Sequence, residues 1–377
     1  MAVDRKKGTS IRTLEGVFLQ GIRLQRNGVL KKLWKLQTIS RYAITSWLKR
    51  RKISGWPPRT RGVRGRENLL VPVAIAFSPT MRCNLSCVGC YARDYPRDGE
   101  LSLEAIDDIL GSAERMGVFL FIVTGGEPLM RDGILEIFQQ HKRLLFLLIT
   151  NGTLMNDSTA DLIARAGNIM TMVSLEGSRE QTDVRRGNGI YDQVTRAMRY
   201  LQDAEAVFGF SAMVTRDNFE TLVSDQFIEE MVDCGCALGF YTEYIPVGSA
   251  AQWELVLENE EREQFRERIL EIRRSKPIMV AHLPDDEYGP DGKCMGVMGG
   301  CVHINAQGYV EPCPFTHLAS DNIREKGLDE IFHSPFLAQI RSSDAVCRRG
   351  RLGCALFENR EMVQDIAAST GAKSTDL

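Results

Sequence analysis

Between residues 70 and 250, six apolar segments alternate with segments of helical periodicity, and this alternation limits the possible fold more than any other feature. The apolar segments are short and continuous, as expected for strands buried on both faces of a parallel sheet. They are 71–78, 118–126, 144–152, 169–177, 207–215 and 237–245. Six strand–helix units are too few for a closed eight-stranded barrel. The sequence therefore predicts an α/β fold in which residues 70–275 form a partial (β/α)6 TIM-type barrel.

Three cysteines lie in the loop directly after the first predicted strand, within the sequence CNLSCVGC. They are Cys83, Cys87 and Cys90. A structural zinc site normally has four protein ligands, whereas the local count here stops at three. An iron–sulfur cluster can use three thiolates and leave one iron open. The position also fits, because reactive groups of such barrels lie at the carboxyl ends of the strands.

The chain resembles the radical S-adenosylmethionine (SAM) enzyme family, on the CxxxCxxC motif and on four further segments. These are TGGEP at 124–128, TNGT at 150–153, SLEG at 174–177 and RRGNGIY at 185–191. The resemblance implies that Cys83, Cys87 and Cys90 bind three irons of a [4Fe–4S] cluster, whose fourth iron binds SAM. Reductive cleavage of SAM would yield a 5′-deoxyadenosyl radical that abstracts hydrogen from a substrate. A low-potential electron donor of the flavodoxin or ferredoxin type is then expected.

The same resemblance implies SAM-binding roles for residues at the strand ends. The GGEP turn would meet the methionine amino group, and the later polar residues would face the nucleotide or the methionine carboxylate. These residues are Gly125, Gly126, Glu127, Pro128, Asn151, Ser174 and Arg186. A simple turn also explains Asn151, and a strand end explains Ser174. Two positions depart from the family pattern: Gly89 replaces an aromatic residue that faces adenine in many members, and Glu176 replaces Asp.

A second set of cysteines lies in the last third of the chain, where Cys294, thirteen residues, Gly308, four residues and Cys313 follow one another. This spacing resembles the SPASM or shorter twitch extension of radical SAM enzymes. The resemblance implies a domain over 280–362 that holds one auxiliary cluster of the [4Fe–4S] type. Its expected ligands are Cys294, Cys313, Cys347 and Cys354, and a structural zinc at these cysteines is the alternative. Cys301 is left as a spare thiol, and Cys234 and Cys236 are interpreted as core thiols.

Residues 1–66 contain 18 Lys and Arg residues against two acidic residues, whereas the rest of the chain contains 29 basic and 47 acidic residues. Apolar residues recur in this segment at helical intervals, and it holds Trp34, Trp47 and Trp56. Such a basic amphipathic helix is typical of a membrane interface. The alternatives are a helical collar on the main domain or an acidic protein partner. Nucleic acid is the weakest candidate, because no groove-reading or RNA-binding motif is evident.

The substrate is not identified by any motif. Glu243 and Tyr244 lie at the end of the sixth predicted strand, where a substrate would meet the radical, and they are our candidate catalytic residues. The basic segment favours a membrane lipid or another membrane-associated molecule as the substrate. The alternative is a maturase of a soluble peptide or a tetrapyrrole. A different class altogether is a non-catalytic iron–sulfur protein that only transfers electrons.

The composition, with 44% apolar and 25% charged residues, is that of a globular protein. No secretory signal and no apolar run of about 18 residues is evident, which predicts a cytoplasmic protein, with peripheral attachment to the inner membrane face as an option. Ten cysteines in such a chain favour reduced thiols and metal ligation over disulfides. Residues 363–377 include many small and polar residues and are predicted to be a disordered tail.

Overall fold

The computed structural model of the chain describes residues 59–60 and 69–377. The basic segment predicted over 1–66 lies almost entirely outside the described residues, so its amphipathic helix stays a prediction. A short antiparallel ladder joins β1 (Arg59–Thr60) to β2 (Leu69–Leu70). Within the described part of the chain, no helix is both long enough and apolar enough to cross a membrane.

Nine strands form one sheet at the centre of the fold. They are β3 (Ala74–Phe77), β4 (Leu120–Val123), β5 (Leu145–Thr150), β6 (Ile169–Ser174), β7 (Phe208–Val214), β8 (Leu238–Glu243), β9 (Met279–Leu283), β10 (Cys301–Ile304) and β11 (Val310–Glu311). The strand order is β11-β10-β3-β4-β5-β6-β7-β8-β9, and only β10 and β11 pair in the antiparallel sense. This curled, open sheet confirms the predicted α/β class and partial barrel.

The sheet extends beyond the six predicted strands at both edges. The predicted strands correspond to β3 through β8, whereas β9 adds to one edge and the β10–β11 hairpin joins the other edge through β3. Our boundary between 275 and 280 follows the cysteine motifs. The edges of a sheet are instead decided by backbone groups that need hydrogen-bond partners. The hairpin of the C-terminal region is therefore continuous with the barrel sheet.

Helices connect the strands and cover one face of the sheet. They are α1 (Leu103–Met116), α2 (Ile134–Gln140), α3 (Asp157–Ala166), α4 (Arg179–Arg186), α5 (Ile190–Asp203), α6 (Phe219–Leu222), α7 (Asp225–Asp233), α8 (Asn259–Ser275), α9 (Leu328–Ile331), α10 (Pro335–Ser342), α11 (Asp344–Cys347), α12 (Ala355–Glu358) and α13 (Arg360–Thr370). The sequence sets several of their ends. The Ser102 side chain accepts a hydrogen bond from the Ala105 N–H and caps α1, which ends at left-handed Gly117.

The two faces of the sheet carry different apolar clusters, because successive side chains of a strand point to opposite sides. Met170, Met172 and Phe240 belong to a cluster made only of residues on or beside the strands, on the concave face. Tyr241 belongs to the larger cluster that includes the helices. Glu243 has the same parity as Tyr241 and therefore points toward the helices, whereas Tyr244 points to the concave side.

The prediction of a disordered tail over 363–377 is wrong. Residues 360–370 form α13, in which Val363 and Ala367 are buried. The chain then forms β13 (Lys373–Ser374), which pairs with β12 (Leu318–Ala319). The Thr375 hydroxyl donates to Glu311 Oε1 at 2.5 Å in the core. We predicted disorder because these residues are small and polar. The helical spacing of Val363 and Ala367 and the helix-ending Gly371 instead indicate a helix.

The contact between His317 and Asp376 predicts a pH-dependent part of the stability. His317 Nδ1 lies 2.7 Å from Asp376 Oδ1. Burial alone would lower the pKa of His317, but the hydrogen bond and charge of Asp376 outweigh it and raise that pKa. A raised histidine pKa stabilises the fold below the unfolded value of about 6.5, and this stabilisation is lost as the pH rises through the folded value.

We therefore expect Asp376→Asn to lower the free energy of unfolding by about 1 kcal/mol at pH 6, and by much less at pH 9. Chemical denaturation followed by circular dichroism at both pH values measures the difference. Asp365→Asn, on the exposed side of α13, is the matched control and should not depend on pH in this way. An equal loss at both pH values would contradict the ion pair.

Candidate functional site

The CxxxCxxC cysteines share one loop at the carboxyl edge of the sheet, directly after β3. Cys83, Cys87 and Cys90 are all free and partly buried. Burial raises the pKa of Cys83, and the nearby charges of Cys87 and Cys90 raise it further, so the three thiols are close neighbours. The Leu85 N–H donates to Cys83 Sγ at 3.4 Å. Three thiols gathered in this way fit a [4Fe–4S] cluster that is bound through three of its irons.

The GGEP turn supports this loop through its backbone. The Gly126 N–H donates to the Thr80 carbonyl at 3.0 Å, and the Glu127 N–H donates to the Arg82 carbonyl at 2.8 Å. A Cβ atom at Gly126 would lie 2.1 Å from the Arg82 carbonyl oxygen, and one at Gly125 would lie 2.5 Å from the Thr80 carbonyl oxygen. Glycine is thus required because two backbone segments approach more closely than a side chain allows.

The Glu127 carboxylate is fully engaged with the protein. Its Oε1 accepts from the Thr150 hydroxyl at 2.7 Å and the Leu129 N–H at 3.0 Å, and its Oε2 accepts from the Asn151 N–H at 2.7 Å. Burial raises the pKa of Glu127, although these hydrogen bonds oppose the rise. The carboxylate therefore ties the end of β5 to the GGEP turn. Pro128 is buried and starts the one-turn helix Pro128–Met130.

Two other predicted SAM-binding residues, Asn151 and Ser174, differ in whether their side chains already form hydrogen bonds within the protein. Asn151 donates from Nδ2 to Asn84 Oδ1 at 2.9 Å, and the same nitrogen lies 3.9 Å from Cys83 Sγ. Asn151 therefore orients the cysteine loop. Ser174 is only 5% exposed, and its hydroxyl has no hydrogen bond to any described residue. Its position on the concave side of β6 leaves it available to a ligand.

Arg186 is paired with a protein carboxylate. Its Nε and Nη2 lie 2.7 and 2.6 Å from Glu176 Oε1, and Arg185 Nη1 lies 2.6 Å from the same oxygen. Glu176 Oε2 also accepts from the Met213 N–H at 3.1 Å. A SAM carboxylate at Arg186 would have to share the guanidinium with Glu176. Burial would lower the pKa of Arg185, but Glu176 and then Cys87 and Cys90 raise it. Arg185, which our sequence reasoning missed, is therefore near the loop.

Tyr244 occupies the space left by Gly89. A Cβ atom at Gly89 would lie 2.7 Å from Tyr244 Cε2 and 2.9 Å from its hydroxyl oxygen. The aromatic residue missing from the cysteine loop is thus replaced in space by an aromatic ring from the end of β8. The Tyr244 hydroxyl accepts from the Gln252 N–H at 2.9 Å, and the residue is 3% exposed.

Glu243 does not lie where our catalytic prediction needs it. It is 2% exposed on the helix side of the sheet, where Arg262 Nε donates to its Oε2 at 2.6 Å. His282 Nε2 lies 2.9 Å from its Oε1. Arg262 in turn donates to the Arg351 carbonyl at 3.0 Å. The sequence alternation along β8 could have predicted this orientation. Glu243 lies two residues after Tyr241, so both side chains point to the same face of the sheet.

Tyr91 is a further site residue that sequence reasoning missed. It follows Cys90, and its hydroxyl lies 3.0 Å from Thr124 Oγ1 and accepts from the Gly125 N–H at 3.3 Å. Its ring packs edge-on against Phe315, with centroids 5.4 Å apart. Burial raises the pKa of Tyr91 to about 12, so the hydroxyl stays protonated. Since Phe315 follows Cys313 by two residues, this contact joins the two cysteine regions.

The C-terminal cysteines divide into three that lie together and one that does not. Burial raises the pKa values of Cys294, Cys313 and Cys354, and nearby thiolates raise those of Cys294 and Cys313 further. Cys347 instead donates from Sγ to the Ile340 carbonyl at 3.3 Å, and its charged neighbours are Lys293 and Asp344. The predicted set of four thiols is therefore only partly brought together. Cys301, the spare thiol, begins β10.

Within residues 59–60 and 69–377, no three Cys, His, Asp or Glu side chains are placed to hold a single metal ion. A zinc site needs its ligands within about 2.3 Å of one point. A [4Fe–4S] cluster holds its ligands farther apart, because each ligand binds a different iron.

Comparison with protein families gives two matches. The model of the radical SAM superfamily matches residues 77–225, and the model of SPASM, an iron–sulfur cluster-binding domain, matches residues 294–354. The two domains imply a SAM-binding [4Fe–4S] cluster and auxiliary iron–sulfur clusters. The match over 294–354 begins at Cys294 and ends at Cys354, which are the outermost predicted ligands of the C-terminal region.

The similar proteins include a heme synthase and a maturase. The AdoMet-dependent heme synthase of Oleidesulfovibrio alaskensis is 29% identical, over 72% of this chain and 77% of that protein. The mycofactocin maturase MftC of Mycobacterium ulcerans is 29% identical, over 76% of this chain and 82% of that protein. The crystal structure of Streptococcus suis SuiB bound to S-adenosylmethionine superposes with a TM-score of 0.64 at 19% identity, over 72% of this chain and 68% of that chain.

Proposed function

Because the chain belongs to the radical SAM superfamily and carries a SPASM domain, we propose that it reductively cleaves SAM and abstracts hydrogen from a side chain of an iron tetrapyrrole. The observation that carries the SAM chemistry is the arrangement of three thiols on a loop braced by the GGEP backbone. When bound, the cluster supplies the electron that splits SAM into methionine and the 5′-deoxyadenosyl radical. The electron itself would come from a donor of the flavodoxin or ferredoxin type.

This chain's own residues would position SAM and exclude water. Ser174 offers an unengaged hydroxyl on the concave side, and Arg186 offers a guanidinium shared with Glu176. The Tyr244 ring beside Gly89 supplies an aromatic surface at the cysteine loop. Aromatic faces favour stacking with planar rings, which suits the adenine of SAM. We therefore infer that Tyr244 takes a binding role, in place of the catalytic role that we first expected.

The tetrapyrrole is favoured by the heme synthase relative and by charge at the cysteine loop. Arg93 and Arg97 are exposed there, donate to backbone carbonyls, and form no ion pair with any described residue. Unpaired guanidinium groups suit the carboxylate side chains that tetrapyrroles carry. A lipid substrate, our first expectation, has no support among the relatives. A peptide is the second candidate, because MftC is a maturase of comparable identity.

The test uses the full chain, reconstituted with iron and sulfide without oxygen, and supplied with SAM and dithionite. We expect iron coproporphyrin III to raise the rate of 5′-deoxyadenosine formation several-fold, and mass spectrometry to find an altered porphyrin. The matched control is Cys87→Ala, which should form neither product. If iron-loaded protein forms no 5′-deoxyadenosine at all, the SAM reaction is wrong. If it forms 5′-deoxyadenosine that no tetrapyrrole affects, only the substrate class is wrong and the peptide becomes the better candidate.

A further inference from the structure

Glu287 lies beside the C-terminal cysteines, although no cysteine motif includes it. It ends the one-turn helix Asp285–Glu287, which follows β9. The Met295 N–H donates to the Glu287 carbonyl at 2.7 Å, and Tyr288 forms an antiparallel bridge with Cys294. The backbone thus holds Glu287 and Cys294 on adjacent chain segments. Any group that Cys294 binds is within reach of a glutamate side chain from the next segment.

The space between these two side chains is kept open by a glycine. A Cβ atom built on Gly296 would lie 3.5 Å from Glu287 Oε1 and 3.7 Å from Cys294 Sγ. The carboxylate oxygen and the thiol sulfur therefore flank the same point. Glu287 is also an electrostatic neighbour of Cys313 and Cys354, since its charge helps to raise the pKa of both thiols, whose largest shift comes from burial.

Cys354, the third thiol of the group, is held by the residue next to Glu287. The Tyr288 hydroxyl donates to the Gly353 carbonyl at 2.6 Å and accepts from the Ala355 N–H at 2.9 Å. These two hydrogen bonds fix the backbone on both sides of Cys354. The same short segment, Glu287–Tyr288, therefore contributes a carboxylate to the cysteine group and positions one of its thiols.

The carboxylate of Glu287 lacks a cation, unlike its two neighbours. Asp285 pairs with Arg266 at 3.3 Å and with Arg349, and Asp286 pairs with Arg273. Glu287 has no side-chain hydrogen bond or ion pair with any described residue. A partly buried carboxylate without a hydrogen-bond or ion-pair partner is less favourable than one whose surroundings are completed by a cation or metal.

The Cys347 thiol, in contrast, forms its hydrogen bond outside the group of Cys294, Cys313 and Cys354. Cys347 is fully buried, and its thiol donates a hydrogen bond to the Ile340 carbonyl of α10. Its backbone carbonyl accepts a hydrogen bond from the Cys294 N–H at 2.8 Å. The chain segment is thus adjacent to the cysteine group, while the thiol points away from it.

We propose that Glu287, together with Cys294, Cys313 and Cys354, ligates the auxiliary cluster, and that Cys347 is a core thiol. This inference rests on the auxiliary cluster of the SPASM domain, which is part of the proposed function. A carboxylate oxygen is a harder ligand than a thiolate and suits the iron of a sulfide cluster less well. The iron held by Glu287 is therefore the one that the cluster releases first.

The test uses the full chain with Cys83, Cys87 and Cys90 all replaced by Ala, so that only the auxiliary cluster can assemble. In this background we expect Cys347→Ala to keep the full iron content. Glu287→Gln should lose about one iron in four after brief mild oxidation and give the electron paramagnetic resonance signal of a three-iron cluster. Glu287→Cys should restore the iron and lower the reduction potential, which a purely structural role would not do.

Full iron retention in Glu287→Gln would overturn the ligation by Glu287. Loss of iron in Cys347→Ala with full retention in Glu287→Gln would overturn the assignment and return Cys347 to the ligand set. If both substitutions lose iron, Glu287→Cys decides, since retained iron supports ligation and lost iron overturns it. If the background protein binds no iron although Cys294, Cys313, Cys354, Cys347 and Glu287 are intact, the auxiliary cluster itself is wrong, whereas the SAM cluster is untouched by that result.

Discussion

Gly126→Ala is expected to remove most of the iron of the SAM-binding cluster. The added methyl would lie 2.1 Å from the Arg82 carbonyl oxygen and 2.6 Å from its carbon, so the backbone must move. Arg82 immediately precedes Cys83, and any separation of the two segments displaces the first cysteine. Overpacking of this kind costs about 3 kcal/mol. Iron content after anaerobic reconstitution and the rate of 5′-deoxyadenosine formation measure the effect.

Gly111→Ala is the matched control, because it adds the same methyl to an ordinary position in α1. The nearest atom there is the flexible Arg115 Nη1 at 3.3 Å. Alanine favours a helix over glycine by up to about 1 kcal/mol, so this variant should be as stable as the parent or more so. Unchanged iron and activity in Gly126→Ala would show that the backbone pairing is dispensable for the cluster.

The sheet could be predicted from the sequence because its signal is local. Apolar segments of strand length that alternate with helical segments specify a parallel sheet. Three closely spaced cysteines in the loop after the first strand then lie at the carboxyl edge of the sheet, where reactive groups are expected. The edges of the sheet could not be predicted in this way. The pairing of β10 with β3 joins residues more than 220 positions apart. The sequence of either segment alone does not indicate which strand it pairs with.

Side-chain partners in the site were harder to predict than the fold. The sequence places Asn151 and Glu127 at strand ends but does not reveal that their hydrogen bonds go to the cysteine loop and the β5 end. It also counts four cysteines in the last third without indicating that Cys347 turns away. The residue that we propose as the fourth ligand is Glu287, an acid in the run DDE, and its missing cation distinguishes it from Asp285 and Asp286.

The two cysteine regions are joined through packed side chains. Tyr91 and Phe315 each lie within two residues of a predicted ligand, and their rings are in edge-on contact. The same region of the fold contains the buried Ser78, His303 and Glu311, in which Ser78 Oγ lies 2.8 Å from His303 Nε2 and His303 Nδ1 lies 2.5 Å from Glu311 Oε2. These hydrogen bonds connect β3, β10 and β11. The barrel edge and the SPASM hairpin therefore form one hydrogen-bonded unit.

Glu243→Gln is expected to lower the free energy of unfolding by about 3 kcal/mol, because it leaves Arg262 buried without its counter-charge. Glu243 and Arg262 are 2% and 4% exposed, and their atoms lie 2.6 Å apart. Burial would raise the pKa of Glu243, but His282 and Arg262 outweigh it and lower that pKa. The stabilisation is therefore complete above the unfolded value of about 4.3 and is lost as the pH falls through the folded value.

Chemical denaturation at pH 7 and at lower pH measures this loss, which should shrink in acid. Glu263→Gln is the matched control, on the helix α8 that carries Arg262. The exposed pair of Glu263 with Arg266 contributes no more than about 0.5 kcal/mol to stability. Iron-matched Glu243→Gln protein should still form 5′-deoxyadenosine at close to the parent rate, since the side chain points away from the concave face. A stable variant that has lost turnover of the substrate would instead identify Glu243 as a catalytic residue, and the orientation of β8 argued from its alternation would then be wrong.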